Sequence, residues 1–294
     1  MKAIRLSGLL LFLILIATTF RLSAQAGEAA RKFEDTKAKA EKGDAVAQCS
    51  LGDAYRKGEG VTKDDVSAVK WYRKATDQNN PGAQRNLGLC YANGLGVGKD
   101  LVEAVKWFRK AVDQNDPGAQ CNLGVCYANG LGVAQDQVEA VKWFRKAAAQ
   151  NDADAQFNLG KCYHCGLGVA QDQVEAVKWF RKAAEQNDAG AQRELGVCYD
   201  EGQGVTKDQV EAVKWYRKAA EQNDADAQYN LGVCYATGAG VAKNYSEAHK
   251  WLYLAAAQGL EDAKEKLPLV DQKMTPEQID KGQQLAREFK PRKE

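Results

Sequence analysis

The sequence has little net charge and little histidine, and both shortages narrow the functions that the protein can have. The formal net charge is +2, from 41 lysines and arginines against 39 acidic residues. Proteins that bind nucleic acids usually carry a concentrated basic surface, so this balance predicts no nucleic-acid partner. The two histidines, His164 and His249, lie far apart in the chain and are too few to predict a zinc site. We expect neither a metal nor a cofactor.

Long apolar runs are also scarce, and the one near the start of the chain ends at Arg21. A membrane-spanning helix needs about 20 apolar residues, and this run is shorter. Lys2 and Arg5 precede it and Ala24-Gln25-Ala26 follows it, which is the pattern of a signal peptide over residues 1–26. No cysteine follows the run, which argues against a lipoprotein anchor. We therefore expect a periplasmic or secreted protein without membrane contact after cleavage, with an uncleaved anchor as the alternative.

What the sequence has in abundance is repetition, because its six tryptophans are each 36 residues apart. A fixed period of this length indicates a solenoid of stacked units. Residues 27–43 are predicted to form an N-terminal capping helix and residues 260–294 a C-terminal capping segment. In that segment Pro268 should end one helix and Thr275 should begin the last. The six predicted repeats cover residues 44–259, with the boundaries 44–79, 80–115, 116–151, 152–187, 188–223 and 224–259.

Each repeat is predicted to contain two helices. Counting the first residue of a repeat as position 1, an Asp or Asn there is a good helix N-cap, and glycines at positions 15 and 17 end the first helix. The second helix begins at a residue such as Asp172, with Glu175 three residues later, which predicts a capping box. Gly160 and its equivalents inside the first helices cost about 1 kcal/mol each relative to alanine, so we expect them to admit the tryptophan-bearing helix.

These motifs resemble the Sel1-like repeat family, which is related to tetratricopeptide repeats. The resemblance rests on the Ala–Leu-Gly–Tyr, Gly-x-Gly-Val and Ala-Val-Lys-Trp-Tyr/Phe-x-Lys-Ala patterns and covers Asp44 to Gly259. It implies an all-α fold, a right-handed superhelical solenoid of stacked helix-turn-helix repeats whose concave groove binds other proteins. A cysteine-rich branch of the family places one cysteine on each helix of a repeat for disulfides within the repeat.

The eight cysteines of this chain do not follow that arrangement, because none lies in a predicted second helix. Five occupy position 11 of successive repeats, where we expect helices about 8–10 Å apart, beyond the Cα separation of about 7 Å that a disulfide allows. We therefore predict buried, mostly free thiols. Cys162 and Cys165 form a CxxC pair beside His164, but at the carboxyl end of a helix, where the dipole disfavours a reactive thiolate.

One motif is typical of an enzyme. Ser67-Ala-Val-Lys70 matches the serine–x–x–lysine motif of penicillin-recognising enzymes. Its Ser-Asp-Asn and Lys-Thr-Gly companions are missing, and the other five repeats hold glutamate in place of Ser67 while they keep the lysine. We therefore predict no catalytic residues. A cell-wall-related hydrolase, such as a β-lactamase-like Sel1 protein, stays the alternative function.

The first helices share one face on which the six copies differ. Positions 3, 6, 10, 13 and 14 change most, and their spacing of three and four puts them on one side of the helix. Position 6 carries arginine and aromatic residues, which are enriched at binding hot spots. A solvated face that varies without function is the alternative. The predicted partner-binding residues are Arg85, Leu89, Val125, Phe157, Lys161, His164, Arg193, Val197, Asp200, Tyr229 and Val233.

The sequence therefore predicts a non-enzymatic, exported scaffold that binds an unidentified protein or peptide in the groove of its repeats. An assembly module that stacks end to end is a further alternative. The lysine before each tryptophan, such as Lys178, lies three residues after a glutamate in most repeats. We expect weak ion pairs on a solvated face at those positions.

Overall fold

The structure, a computed structural model, describes residues 27–292 of the 294-residue chain. The signal peptide predicted for residues 1–26 lies outside the described residues. Every regular element of the described part is a helix, and none is long and apolar enough to cross a bilayer. The helices are α1 (27–41), α2 (Ala45–Lys57), α3 (Asp65–Asp77), α4 (Pro81–Asn93), α5 (Leu101–Asp113), α6 (Pro117–Asn129), α7 (Gln137–Ala149), α8 (Ala153–Cys165), α9 (Gln173–Glu185), α10 (Ala189–Glu201), α11 (Gln209–Glu221), α12 (Ala225–Thr237), α13 (Tyr245–Ala257), α14 (Glu261–Asp271) and α15 (Pro276–Glu288).

The chain divides into two compact units, Met1–Gln135 and Asp136–Glu294. In the first unit α2 packs on α3 and α4 on α5, and α1 buries Phe33 and Ala40 against Leu51 of α2. In the second unit α8 packs on α9, α10 on α11 and α12 on α13. Each pair is one predicted repeat, and its second helix also packs on the first helix of the repeat that follows. The all-α fold of stacked helix pairs is confirmed.

Short polar side chains and glycines delimit the first helices as the sequence predicts. Asp152, the N-cap of α8, accepts a hydrogen bond from the Ala155 N–H at 2.8 Å. This bond satisfies a backbone donor that has no partner inside the helix. Gly166 ends α8 with φ 70°, in the left-handed region that favours glycine. The same two devices recur at the ends of the other first helices.

The capping box predicted for the second helices is wrong in one of its two halves. Asp172 does accept a hydrogen bond from the Glu175 N–H at 2.9 Å. The Glu175 carboxylate does not return to the Asp172 N–H, because it binds Lys178 Nζ at 2.9 Å. The Asp172 N–H donates to the Tyr163 carbonyl instead. The expected ion pairs at these glutamates are thus confirmed, and they lie on an exposed face.

Glycine at position 9 of the first helices admits the tryptophan-bearing second helix, as predicted, and the side chain that needs the space is the one after the tryptophan. A Cβ on Gly160 would lie 2.6 Å from the ring of Phe180, and one on Gly196 would lie 2.6 Å from the ring of Tyr216. Phe180 and Tyr216 directly follow the tryptophans and are buried. The side chain that fills the space thus lies one residue after the tryptophan, which is about 100° of helical rotation away from it.

The tryptophans instead connect neighbouring repeats. Trp215 of α11 is buried in the cluster of apolar residues that α9 and α10 form. Trp107 of α5 packs in the same way on the cluster of α3 and α4. Lys218 Nζ lies 3.8 Å from the centroid of the Trp215 ring, and Lys110 Nζ lies 3.9 Å from that of Trp107. Trp215 and Trp107 therefore cover the apolar cluster between the first helix of their own repeat and the preceding second helix, and each carries a cation on its ring.

A ladder of amides, in which one glutamine of each pair is buried, also joins the helices, and the sequence reasoning missed it. Gln192 of α10 accepts a hydrogen bond from Gln222 Nε2 at 2.8 Å and donates to Asn187 Oδ1 at 3.2 Å. Asn187 in turn donates to Gln222 Oε1 at 3.3 Å. Buried amides are stable only when they are paired in this way. We call these bonds the amide ladder, and its other glutamine pairs include Gln48–Gln78, Gln84–Gln114, Gln156–Gln186 and Gln228–Gln258.

The C-terminal helices depart from the repeat. Pro268 does not end its helix as predicted, because α14 continues to Asp271 with Val270 buried. The burial of Val270 offsets the backbone hydrogen bond that proline cannot donate. Thr275 begins α15 with a complete capping box, as the sequence predicts. α15 packs along α13, and the ring centroid of Phe289 lies 5.3 Å from that of Trp251.

Candidate partner-binding surface

The eleven predicted partner-binding residues lie on the first helices α4, α6, α8, α10 and α12. All of them are at least partly exposed, and Lys161 is the most exposed. We call these residues the first-helix face. The structure brings some of them together in clusters and uses others to connect repeats, so the members differ in their chemistry.

The α8 members form an aromatic and cationic cluster. Lys161 Nζ lies 5.6 Å from the centroid of the Phe157 ring. The rings of Phe157 and His164 lie 6.0 Å and 6.3 Å from the buried ring of Phe180. An exposed cation above aromatic side chains is suited to binding a partner that offers both apolar and acidic groups.

His164 is held in place by the next helix. Its Nδ1 and Gln173 Oε1 share a hydrogen bond of 2.8 Å, and Gln173 Nε2 donates to the His164 carbonyl at 3.1 Å. Cys165 beside it is exposed, whereas Cys162 is buried. In residues 27–292 no group of three or more potential metal ligands comes together. His164 therefore acts as an oriented aromatic and polar group of the α8 cluster.

The α10 members are more strongly charged. Arg193 binds Glu194 Oε1 at 2.9 Å, Asp224 Oδ2 at 3.1 Å and Asp226 Oδ2 at 3.2 Å. Burial raises the pKa of Asp224 above its ordinary value, although Arg193 acts in the opposite direction. Asp200 accepts a hydrogen bond from Gln209 Nε2 at 3.3 Å. The face thus changes from aromatic and cationic on α8 to a network of ion pairs on α10.

Position 6 has a structural role that the variation between repeats did not reveal. A Cβ on Gly190 would lie 3.2 Å from the Phe157 ring, so Phe157 reaches the first helix of the following repeat. Arg85 reaches the following repeat too, and binds Asp116 Oδ1 at 3.2 Å. Tyr229 packs on the cluster that contains Leu252. Only part of each position-6 side chain is therefore available to a partner.

The aliphatic members of the face lie at position 10 of four first helices. Leu89, Val125, Val197 and Val233 are each partly exposed. Val197 packs on the apolar cluster of α11 and α12 with one side of its chain. These residues can add apolar contact area to a partner without a large change of conformation.

The first repeat contributes a polar network that the prediction omitted. Asp53 accepts hydrogen bonds from Tyr72 Oη–H at 2.7 Å and from Asn86 Nδ2 at 3.0 Å. Burial raises the pKa of Tyr72 above its ordinary range, so its hydroxyl stays a donor. Asparagine recurs at the position of Asn86 in later repeats, and recurrence indicates packing as readily as binding.

The geometry around Ser67 is that of a helix cap. Ser67 Oγ–H donates to the Asp64 carboxylate, and the Ser67 N–H donates to Asp64 Oδ1 at 3.0 Å. These bonds lower the pKa of Asp64 below its ordinary value. Lys70 is exposed on the same helix. The serine hydroxyl therefore stabilises the start of α3, a role in which it needs no lysine.

The cysteines at position 11 behave as buried apolar residues. At this position Cys90, Cys126, Cys162, Cys198 and Cys234 are buried and carry free thiols. Burial raises the pKa of the Cys162 thiol to about 11 and that of Cys198 to about 12. Reaction requires the thiolate, so these side chains have little reactivity near neutral pH.

Comparisons with known proteins agree with this architecture. The model of the Sel1 repeat family matches six consecutive stretches, residues 45–80, 81–116, 117–152, 153–188, 189–224 and 225–260. A Sel1 repeat protein from Oxalobacter formigenes is 41% identical in sequence, with a TM-score of 0.70 over 74% of this chain and 89% of that chain. An immunity protein from Pseudomonas aeruginosa is 23% identical, with a TM-score of 0.51 over 70% of this chain and 81% of that chain, and supports the fold alone. No protein with a curated description matches the chain.

Proposed function

Because the chain belongs to the Sel1 repeat family, we propose that it is an exported, non-enzymatic scaffold that binds a protein or peptide on its first-helix face. The observation that carries this proposal is the α8 cluster, in which Lys161 stands exposed beside Phe157 and His164. Binding hot spots combine aromatic side chains with cations on a rigid support, and here a helix provides the support. The partner should offer an apolar side chain for the rings and a carboxylate for the lysine.

The surface is tested by a pull-down with the purified chain and quantitative mass spectrometry. Lys161→Glu should reduce the recovery of the partners that the wild type captures, because it reverses the exposed charge of the α8 cluster. Lys264→Glu is the matched control, since Lys264 is an exposed lysine on α14 outside this face. If the recovered partners are the same for Lys161→Glu as for the wild type, the α8 cluster is not the binding site.

Export is tested separately, by fractionation and N-terminal sequencing of the mature protein. The proposal expects the protein outside the cytoplasm, with its first residue at Gly27. A cytoplasmic protein that keeps residues 1–26 would contradict export. That result would not affect the proposed binding surface, which the pull-down tests.

A further inference from the structure

The second helices of the second unit carry two open grooves that the first-helix face does not include. The floor of one groove consists of Val174, Val177 and Val205, and its volume is about 490 Å³. The equivalent groove one repeat later has the floor Val210, Val213 and Val241 and a volume of about 410 Å³. We call them the second-helix grooves.

The floor of these grooves is exposed at the same place in successive repeats. Val174 and Val210 are each 54% exposed. Single exposed valines are ordinary. An exposed valine at the same position of successive repeats provides a recurring apolar surface, which a partner can cover. Five successive second helices carry such a valine, namely Val66, Val102, Val138, Val174 and Val210.

In the sixth repeat a helix of the chain itself covers this face. Ser246, which replaces the exposed valine, donates its Oγ–H to the Gln278 carbonyl of α15 at 2.9 Å. Gly282 of α15 lies against His249, because a Cβ there would be 2.8 Å from the His249 ring. The face of a second helix in this fold therefore accepts a helix that runs along it.

The charges differ between the covered face and the open grooves. Where α15 covers α13, positions 30 and 31 of the repeat are Tyr253 and Leu254. In the first open groove the same positions are Arg181 and Lys182. A segment like α15, which covers a face without cations at positions 30 and 31, is therefore not the occupant that the open grooves suit.

The cations at positions 30 and 31 of the open grooves have neutral partners within the protein, whereas Lys178 of the first groove is paired with Glu175. Arg181 donates to Tyr199 Oη at 2.6 Å, and Lys182 Nζ lies 4.0 Å from the centroid of the Trp179 ring. Arg217 and Lys218 have the equivalent contacts, with Tyr235 and Trp215. At the second groove Arg292 adds another cation, which binds Glu221 Oε2 at 3.0 Å.

We propose that the second-helix grooves bind an acidic amphipathic helix of a partner protein. Apolar side chains of that helix cover Val174 and Val210, and its carboxylates pair with the cations at positions 30 and 31. The packing of α15 on α13 supplies the geometry, and the net positive rim supplies the selectivity. This surface is formed by second helices, so it is independent of the first-helix face.

The probe is a fluorescein-labelled peptide of 13 residues, the length of α15, with leucine and alanine on one face and glutamate on its flanks. Its affinity for the purified chain is measured by fluorescence anisotropy, beside a control peptide with lysine flanks. The double variant Arg181→Glu/Lys182→Glu should weaken binding about tenfold, because it replaces two attractive charge pairs by repulsive ones. The charge-matched control is Lys39→Glu/Lys42→Glu, in α1 and the turn that follows it, which should bind as the wild type does.

Val174→Asp/Val210→Asp tests the apolar floor and leaves the cations of the rim in place. It should weaken binding by a similar factor, while circular dichroism confirms the helical fold. Equal binding of the two peptides would overturn the proposal, as would wild-type affinity of both groove variants. Loss of binding in Lys161→Glu would assign the peptide to the first-helix face instead. A mass that rises with concentration in the wild type, and not in Arg181→Glu/Lys182→Glu, would make a second copy of the chain the occupant.

Discussion

At position 9 of the first helices, the absence of one methyl group decides whether the two helices of a repeat can pack. The residue that needs this space is the one after tryptophan, such as Phe180 opposite Gly160. Recurrence in the sequence identified both the glycine and the aromatic pair, but it cannot say which of two adjacent aromatic residues points inward. That choice depends on the rotation of the second helix, which only the packed structure fixes.

Gly160→Ala should therefore lower the free energy of unfolding by about 1–3 kcal/mol, because the new Cβ overpacks the core against Phe180. Alanine has a higher helix propensity than glycine, which raises the free energy of unfolding by about 1 kcal/mol, but this gain is smaller than the cost of overpacking. Urea denaturation followed by circular dichroism measures the change. Gly98→Ala is the control, since nothing lies within 4 Å of a Cβ at Gly98. Equal stability of the two variants would mean that the core at Gly160 can relax.

At the scale of the element, helix ends are more predictable than helix interiors. The N-caps and the left-handed glycines are local signals, and the sequence placed them correctly at Asp152 and Gly166. Pro268 is also a local signal, yet α14 passes through it because Val270 is buried further along the helix. Tertiary packing therefore overrides propensity at this position.

Replacing that proline should stabilise α14. Pro268→Ala restores a backbone N–H one turn after Lys264 and should raise the free energy of unfolding by about 1–3 kcal/mol. Pro276→Ala is the matched control, because Pro276 occupies the first turn of α15, where proline is tolerated. Both effects can be read from urea midpoints. A loss of stability in Pro268→Ala would show that the proline ring itself packs favourably.

At the scale of the whole molecule, the sequence predicted the repeats, their helix pairs and their buried thiols, since each repeats with the period of the chain. It did not predict contacts between repeats. Phe157 and Arg85 were selected as binding residues alone, although both also reach the following repeat. The sequence predicted a solvated face on the second helices, because the spacing of Glu175 and Lys178 indicates an ion pair. The open valine floor of the second-helix grooves depends on packing between helices, which the sequence does not show.

Contacts between repeats should confine the effect of a mutation to neighbouring helices. Gln192→Leu removes the hydrogen bonds of this buried amide with Gln222 and Asn187, and leaves those two side chains only each other in the amide ladder. The change should lower the free energy of unfolding by about 1–3 kcal/mol. Hydrogen exchange should then become faster in α9 to α12 and stay unchanged in α2 to α5. Gln272→Leu, at an exposed residue after α14, is the control. Faster exchange throughout the chain would contradict a ladder that acts between neighbours.

The amide ladder also limits how such an array can change in length during evolution. Each rung joins two glutamines 30 residues apart, such as Gln192 and Gln222. The asparagine that follows the second glutamine of one rung, such as Asn187, is hydrogen-bonded to both glutamines of the next rung. A short insertion within a helix would turn one of these side chains away, because each added residue rotates the helix by about 100°. Duplication or loss of 36 residues keeps every remaining rung intact. Genes for this protein should therefore lengthen and shorten by whole repeats.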